Sequence, residues 1–167
     1  MLTLPLASAS WRFRDASRKS AWHAAVVPGC VHRDLRRAGL IPDPFVGTNE
    51  LDLQWIEHHD WEYAATFTVS AAVLAEETVE LVCDGLDTLA TVTLNGRVVA
   101  RTDNMFIGWR WEVKPHLRRG RNELRIRFAS VGRALPKTRP EHQPKEFNDS
   151  VGRSSVFRKQ PCQFGWG

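Results

Sequence analysis

The sequence is poor in the features that assign a function outright. Its three cysteines, Cys30, Cys83 and Cys162, are widely scattered and form no CxxC pair. An odd, dispersed set argues against a disulfide framework or a zinc site and is compatible with a reducing compartment. No apolar run approaches the roughly 18 residues that a membrane-spanning helix needs. The N-terminal MLTLPLASASWRFRD has no basic residue ahead of its short apolar stretch. A secretory signal is therefore not expected, and a cytoplasmic location is. GxSxG, Walker A, dinucleotide-binding and HExxH signatures are all missing. Neither a cofactor nor a metal is expected.

What is present is a soluble-protein composition, 43% hydrophobic and 25% charged, over 167 residues. That is one domain by length, large enough to bury a core without metals or bridges. Seven tryptophans are an excess for this length, and large aromatics concentrate in cores, interfaces and sugar-stacking surfaces. The net charge of +4 lies in the C-terminal tail. From Gly132 onward there are seven Lys/Arg against three Asp/Glu, which leaves sixteen of each before it. Such a tail reads as a solvated or partner-docking segment. No interleaving of aromatic and basic residues on a strand supports binding to nucleic acid, so neither nucleic acid nor membrane is an expected partner.

The chain is organised around residues 78–106, TVELVCDGLDTLATVTLNGRVVARTDNMF, which read as three consecutive strands. Val79, Leu81 and Cys83 alternate with Glu80, Val82 and Asp84, and Gly85 ends the run. Ala90, Val92 and Leu94 then alternate with Thr91 and Thr93. Asn95-Gly96 is the dipeptide best suited to a two-residue hairpin turn, and Val98 to Ala100 return as the third strand. Residues 10–14, 61–69 and 122–128 show the same period of two, and residues 109–113 show it more faintly. Two short helices are expected, one over residues 31–40 with Gly39 as its breaker, the other over residues 50–58 with Asn49 as its N-cap. Short strands at even spacing with turns between them predict an all-β antiparallel sandwich over residues 1–130. Residues 131–167 lose all periodicity and hold Pro136, Pro140, Pro144 and Pro161, which predicts an irregular tail, poorly ordered in isolation over residues 133–160.

Candidate chemistry is thin. Cys30 and His32 invite a thiol–imidazole pair, but no third orienting group is near in sequence, and a small buried thiol is the commoner role. His58 and His59 are adjacent and point apart, so a metal is not needed to explain them. A glycosidase needs two carboxylates about its scissile bond. Glu50, Asp52, Glu57, Asp60, Asp84, Asp87 and Asp103 are available, each with a simpler reading as cap, turn or solvent-facing residue.

Longer runs are more specific. VPGCVHRDL, DPFVGTNE, LQWI, DWEY, GLDTLATVTLNG, DNMF and RKQPCQFGWG occur in one order across nearly the whole chain. Together they resemble the opening of the β-mannosidases among the family 2 glycoside hydrolases. The resemblance implies an N-terminal sugar-binding domain, a galactose-binding-like jelly roll, that in relatives is joined to immunoglobulin-like sandwiches and a TIM barrel. It implies retaining hydrolysis of terminal β-linked mannose, with an acid/base and a nucleophilic glutamate that both lie on the barrel. Those glutamates are not expected within these 167 residues.

The implied partners are a β-mannoside or oligosaccharide substrate and an intramolecular catalytic barrel. The implied substrate-binding residue is Trp166, which matches the first tryptophan of the family's FGWDWG segment. Gly167 follows it here, and the family's aspartate has no counterpart. In this reading the tail runs between sandwich and barrel. The alternative is a stand-alone carbohydrate-binding module. Trp11, Trp55 and Trp61 have ready packing roles, which leaves Trp109, Trp111 and Trp166 to stack on sugar.

Overall fold

The computed structural model describes residues 2–134 and 157–159. Among them the strands are β1 (Ser10–Asp15), β2 (His23–Ala25), β3 (Trp61–Val69), β4 (Glu80–Cys83), β5 (Ala90–Leu94), β6 (Arg97–Thr102), β7 (Trp109–Glu112) and β8 (Gly120–Phe128). One sheet has the order β2-β1-β3-β8-β5-β6, and β4 pairs with β7 in a second. Every strand pairing is antiparallel. This is the expected β-sandwich.

Alternation fixes which side of the larger sheet faces inward. Register aligns Trp11, Ala65, Leu124 and Leu94 in one row, and Phe13, Tyr63, Ile126 and Val92 in the next. All of these side chains are buried in one core that also takes Leu81, Leu86 and Val113 from the β4–β7 side. Each large apolar side chain so enclosed contributes about 1.5–3 kcal/mol relative to exposure. The opposite face carries Arg12, Arg14, Glu62, Glu123 and Arg125. Arg14 pairs with Glu62 at 2.6 Å, Arg12 with Glu123 at 3.0 Å and Arg125 with Glu123 at 2.8 Å. Trp22 lies across this network, with the Arg12 and Arg14 guanidinium carbons each 4.6 Å from its ring centre.

The Asn95-Gly96 turn forms as expected, with both residues at positive φ (51° and 83°). Leu94 then faces Arg97, and a bulge follows between Val92 and Thr93. The strand before it behaves differently. β4 does not continue into the β5–β6 hairpin but joins β7 in the other layer, so the three strands of residues 78–106 are consecutive in sequence and not in space. The loop between β4 and β5 carries the chain across the core, with Leu86 buried on the way.

α1 (Val31–Arg37) ends as anticipated at Gly39, φ +69°. The Leu40 N–H returns to the Leu35 carbonyl at 2.9 Å and the Gly39 N–H to Arg36 at 3.0 Å, the paired bonds of a Schellman ending. α1 is tied to the sheet through Asp34. Its carboxylate accepts the Tyr63 hydroxyl (3.0 Å), the Val26 N–H (3.1 Å) and Arg37 (2.7 Å). Burial first, then the Asp34 charge, push the Tyr63 phenol well above its ordinary pKa.

The second expected helix is broken. α2 (Asn49–Asp52) stops at Leu53, and a 3-10 turn, Gln54–His58, follows. Leu53 and Ile56 are both buried, and a spacing of three suits the tighter turn. Asn49 lies inside α2 rather than capping it, and its side chain donates to the Asp43 carbonyl at 2.8 Å. Two short helices were not anticipated. α3 (Ala71–Ala75) starts at Ser70, whose hydroxyl accepts the Val73 N–H at 3.3 Å. α4 (Val131–Ala134) starts at Ser130, whose hydroxyl accepts the Arg133 N–H at 3.0 Å.

Candidate functional site at the loop end of the sandwich

The third row of the sheet aligns Asp15, Trp61, Phe128, Ala90 and Thr102. β1, β6 and β8 finish near this row, while β3 and β5 begin there. Their connections therefore gather at one end of the sandwich. This is where loops can act on something outside the sheet.

Asp60 organises one side of that end. It is buried, and its carboxylate accepts the Ser130 N–H at 2.9 Å, Arg127 at 2.7 Å and Arg133 in a close ion pair. Its own N–H donates to the Ser17 hydroxyl at 2.8 Å. The Ser130 hydroxyl donates to the Glu57 carbonyl at 2.6 Å. Burial alone would raise the Asp60 pKa. The Ser130 amide, Arg127 and Arg133 together outweigh it and hold the carboxyl below its ordinary value. The result fixes where the chain leaves β8 and enters α4.

The other side holds the loop before β5 and the loop after β6. Thr88 is buried, and its carbonyl accepts the Thr102 hydroxyl at 2.9 Å. The same Thr102 oxygen accepts the Ala90 N–H at 3.2 Å. These bonds fix the base of the loop that presents Asp87. Across from it the Asn104 side chain accepts the Phe106 N–H at 2.9 Å, a local turn, while its carbonyl accepts the Trp109 indole N–H at 3.2 Å. Residues 157–159 lie on these two loops. Asn104 and Arg158 form a parallel bridge, the Met105 N–H donates to the Arg158 carbonyl at 3.0 Å, and Lys159 Nζ meets Asp87 Oδ2 at 2.5 Å.

The sequence-derived candidates fall as follows. Trp166 lies outside the described residues, as do residues 135–156 of the tail. Trp11 and Trp61 are buried in the core and Trp55 is half-buried against it. Trp109 and Trp111 stack on each other at 5.8 Å and 16°, half-buried against the core. Cys30 is exposed at the start of α1. His58 and His59 diverge. His59 Nδ1 bonds Asp15 Oδ2 at 2.6 Å, and His58 Nε2 lies 3.5 Å from Glu57. Among the described residues no three His, Cys, Asp or Glu side chains are grouped to hold a metal ion. Asp60 and Asp87 are each already paired with cations, which suits anchoring rather than proton transfer. The Asp60 hub and the Lys159 contact leave no mark in the sequence. Both join residues about 70 positions apart, and no local period marks such pairs.

Residues 11–167 match the glycosyl hydrolase 2 galactose-binding domain-like family. The chain belongs to this family. It is 40% identical over 162 residues to β-mannosidase B of Thermothelomyces thermophilus, covering 94% of this chain and 19% of that protein. To β-mannosidase B of Emericella nidulans it is 38% identical over 166 residues, covering 95% of this chain and 20% of the relative. Among solved structures, the β-D-mannosidase of Dictyoglomus thermophilum superposes with a TM-score of 0.86 at 41% identity, over 94% of this chain and 19% of that one. An exo-chitosanase of Amycolatopsis orientalis shares the fold at 17% identity, with a TM-score of 0.64 over 72% of this chain and 16% of that one. The chain thus spans about one fifth of the length of the relatives it matches. The galactose-binding-like jelly roll is the fold of this family domain.

Proposed function

We propose that this chain is the N-terminal, non-catalytic domain of a retaining β-mannosidase that hydrolyses terminal β-D-mannose residues. In this reading residues 1–130 are the sandwich and residues 131–167 lead toward a TIM barrel beyond them. The domain supports and partly lines the active site of that barrel, which carries both catalytic glutamates. The observation that carries the reading is 40% identity across nearly the whole chain to a β-mannosidase B of which it covers 19%. The loop end supports it, because residues 131–134 leave there and residues 157–159 return there, each fixed by an ion-paired aspartate.

A β-mannoside is then the substrate of the whole enzyme, and Trp166 its contact from this domain. The module alternative needs free aromatic faces. Among the described residues Trp109 and Trp111 cover one another, and Trp22 is covered by two arginines, which does not favour it. The test is an exchange of domains. Residues 1–167 are placed in the Dictyoglomus thermophilum β-D-mannosidase in place of its matching fifth, and release of p-nitrophenol from p-nitrophenyl β-D-mannoside is followed. Activity in the hybrid, with none from the 167-residue chain alone, is expected. Turnover by the 167-residue chain would overturn the reading.

A further inference from the structure

We infer that residues 157–159 act as a strap, and that the Lys159–Asp87 ion pair is its fastening, positioning the chain that follows for sugar. The main-chain half of the strap is a bridge between Asn104 and Arg158 and one bond from the Met105 amide to the Arg158 carbonyl. An isolated bridge is weak, because few residues share the cost of ordering it. The side-chain half makes up the difference. Lys159 keeps only 15% of its side chain exposed and Asp87 32%, so the pair is shielded more than an ordinary surface pair and screened less by salt.

Both sides of the fastening are also held by bonds of their own. Asp87 stands on a loop whose base is fixed by Thr88, Thr102 and Ala90. The Met105 amide lies within a turn closed by the Asn104 side chain and tied to Trp109. Arg158 is exposed and contributes through its backbone, so Lys159 is the residue whose identity matters. Lys159 stands seven positions ahead of Trp166, and the part of this inference that concerns sugar rests on the function proposed above.

Hydrogen exchange at the Met105 amide in the 167-residue chain tests the strap directly. Lys159→Met and Asp87→Asn are expected to speed that exchange about tenfold, the scale of a charge-assisted hydrogen bond. Lys159→Arg, which keeps the charge, should stay near the parent rate, and the amides of Val92 and Leu124 should not change. Exchange at Met105 unaltered by both charge-removing variants overturns the strap. The same variants in the hybrid enzyme test positioning. A fall in kcat/KM of about tenfold carried mainly by KM, restored by Lys159→Arg, supports it. Unchanged kinetics despite faster Met105 exchange overturn the positioning role. A parent hybrid without activity, in which Met105 still responds, instead refutes the β-mannosidase reading and leaves the strap standing.

Discussion

Along the row Phe13, Tyr63, Ile126 and Val92, four strands meet through buried side chains. At the end of the same sheet, Asp60 and Asp87 meet Arg127, Arg133 and Lys159, and the contacts are charged and directional. The first arrangement gains from any apolar area removed from water and tolerates no gap. The second depends on individual donors and acceptors and on protonation. The core therefore holds the sandwich whatever its neighbours do, while the loop end holds polypeptide that approaches from elsewhere. A domain built this way can keep its fold and present a surface whose attachments are set one ion pair at a time.

The comparison breaks most visibly at Phe13, which is 1% exposed and packs on Tyr63 at 5.8 Å and Trp61 at 6.2 Å. Phe13→Ala should cost about 3–5 kcal/mol, read as a lower midpoint in urea. A loss below about 1 kcal/mol would mean that the inner face repacks as loosely as a surface. Asp60→Asn comes next. It keeps the shape and removes the charge that Arg127 and Arg133 share, and should cost about 2 kcal/mol.

The same residue gives a pH signature. The folded state holds the Asp60 carboxyl below its ordinary value. Its contribution is therefore complete above the unfolded carboxylate pKa of about 3.9 and is lost as pH falls through the lower folded value. Acid melts of the parent should show this loss, and those of Asp60→Asn should lack it. Identical acid limbs would show that α4 docks without help from the carboxylate.

How much of this could be read beforehand follows the same division. β1, β3, β5 and β8 were legible because Trp11/Phe13, Trp61/Tyr63, Val92/Leu94 and Leu124/Ile126 repeat every second residue, and burial on one face leaves that period in the sequence. Asn95-Gly96 and Gly39 were legible because their backbone conformation restricts the residue that can stand there. The partition of β4 to the second layer was not, since alternation reports which face is buried and not which strand lies beside it. The break at Leu53 was hidden because helix and 3-10 turn share the i,i+3 spacing. At the loop end, Asp60 and Asp87 read in the sequence as cap, turn or solvent-facing residues. Their partners lie far along the chain, and the cations that occupy them are ordinary Arg and Lys until the fold brings them near.

The outer face of the sheet sharpens the contrast, being made of the residues between the core positions. Glu123 sits there with Arg125 and Arg12. The Arg125 hydrogen bond lowers its pKa, burial opposes this, and the charges of both arginines add to the lowering. Glu123→Gln should nevertheless cost no more than about 1 kcal/mol and less in high salt, because the arginines are well hydrated. A salt-independent loss as large as that of Asp60→Asn would place this face with the anchoring sites.

The smallest effect concerns Cys83, at the junction between the two materials. It belongs to β4, packs against the core, and faces Trp109 across the smaller sheet. Burial first, then the Asp84 charge, push its thiol up to about 11. Only the thiolate reacts with an alkylating agent, so the labelling rate of Cys83 should rise about tenfold per pH unit through the neutral range. Cys30 is exposed and should be labelled far sooner, as peptide mass spectrometry of quenched samples would resolve. Equal rates at the two sites would mean that β4 and β7 separate readily from the larger sheet. The smaller layer would then belong with the adjustable loop end, and the durable part of the domain would be the six-stranded sheet alone.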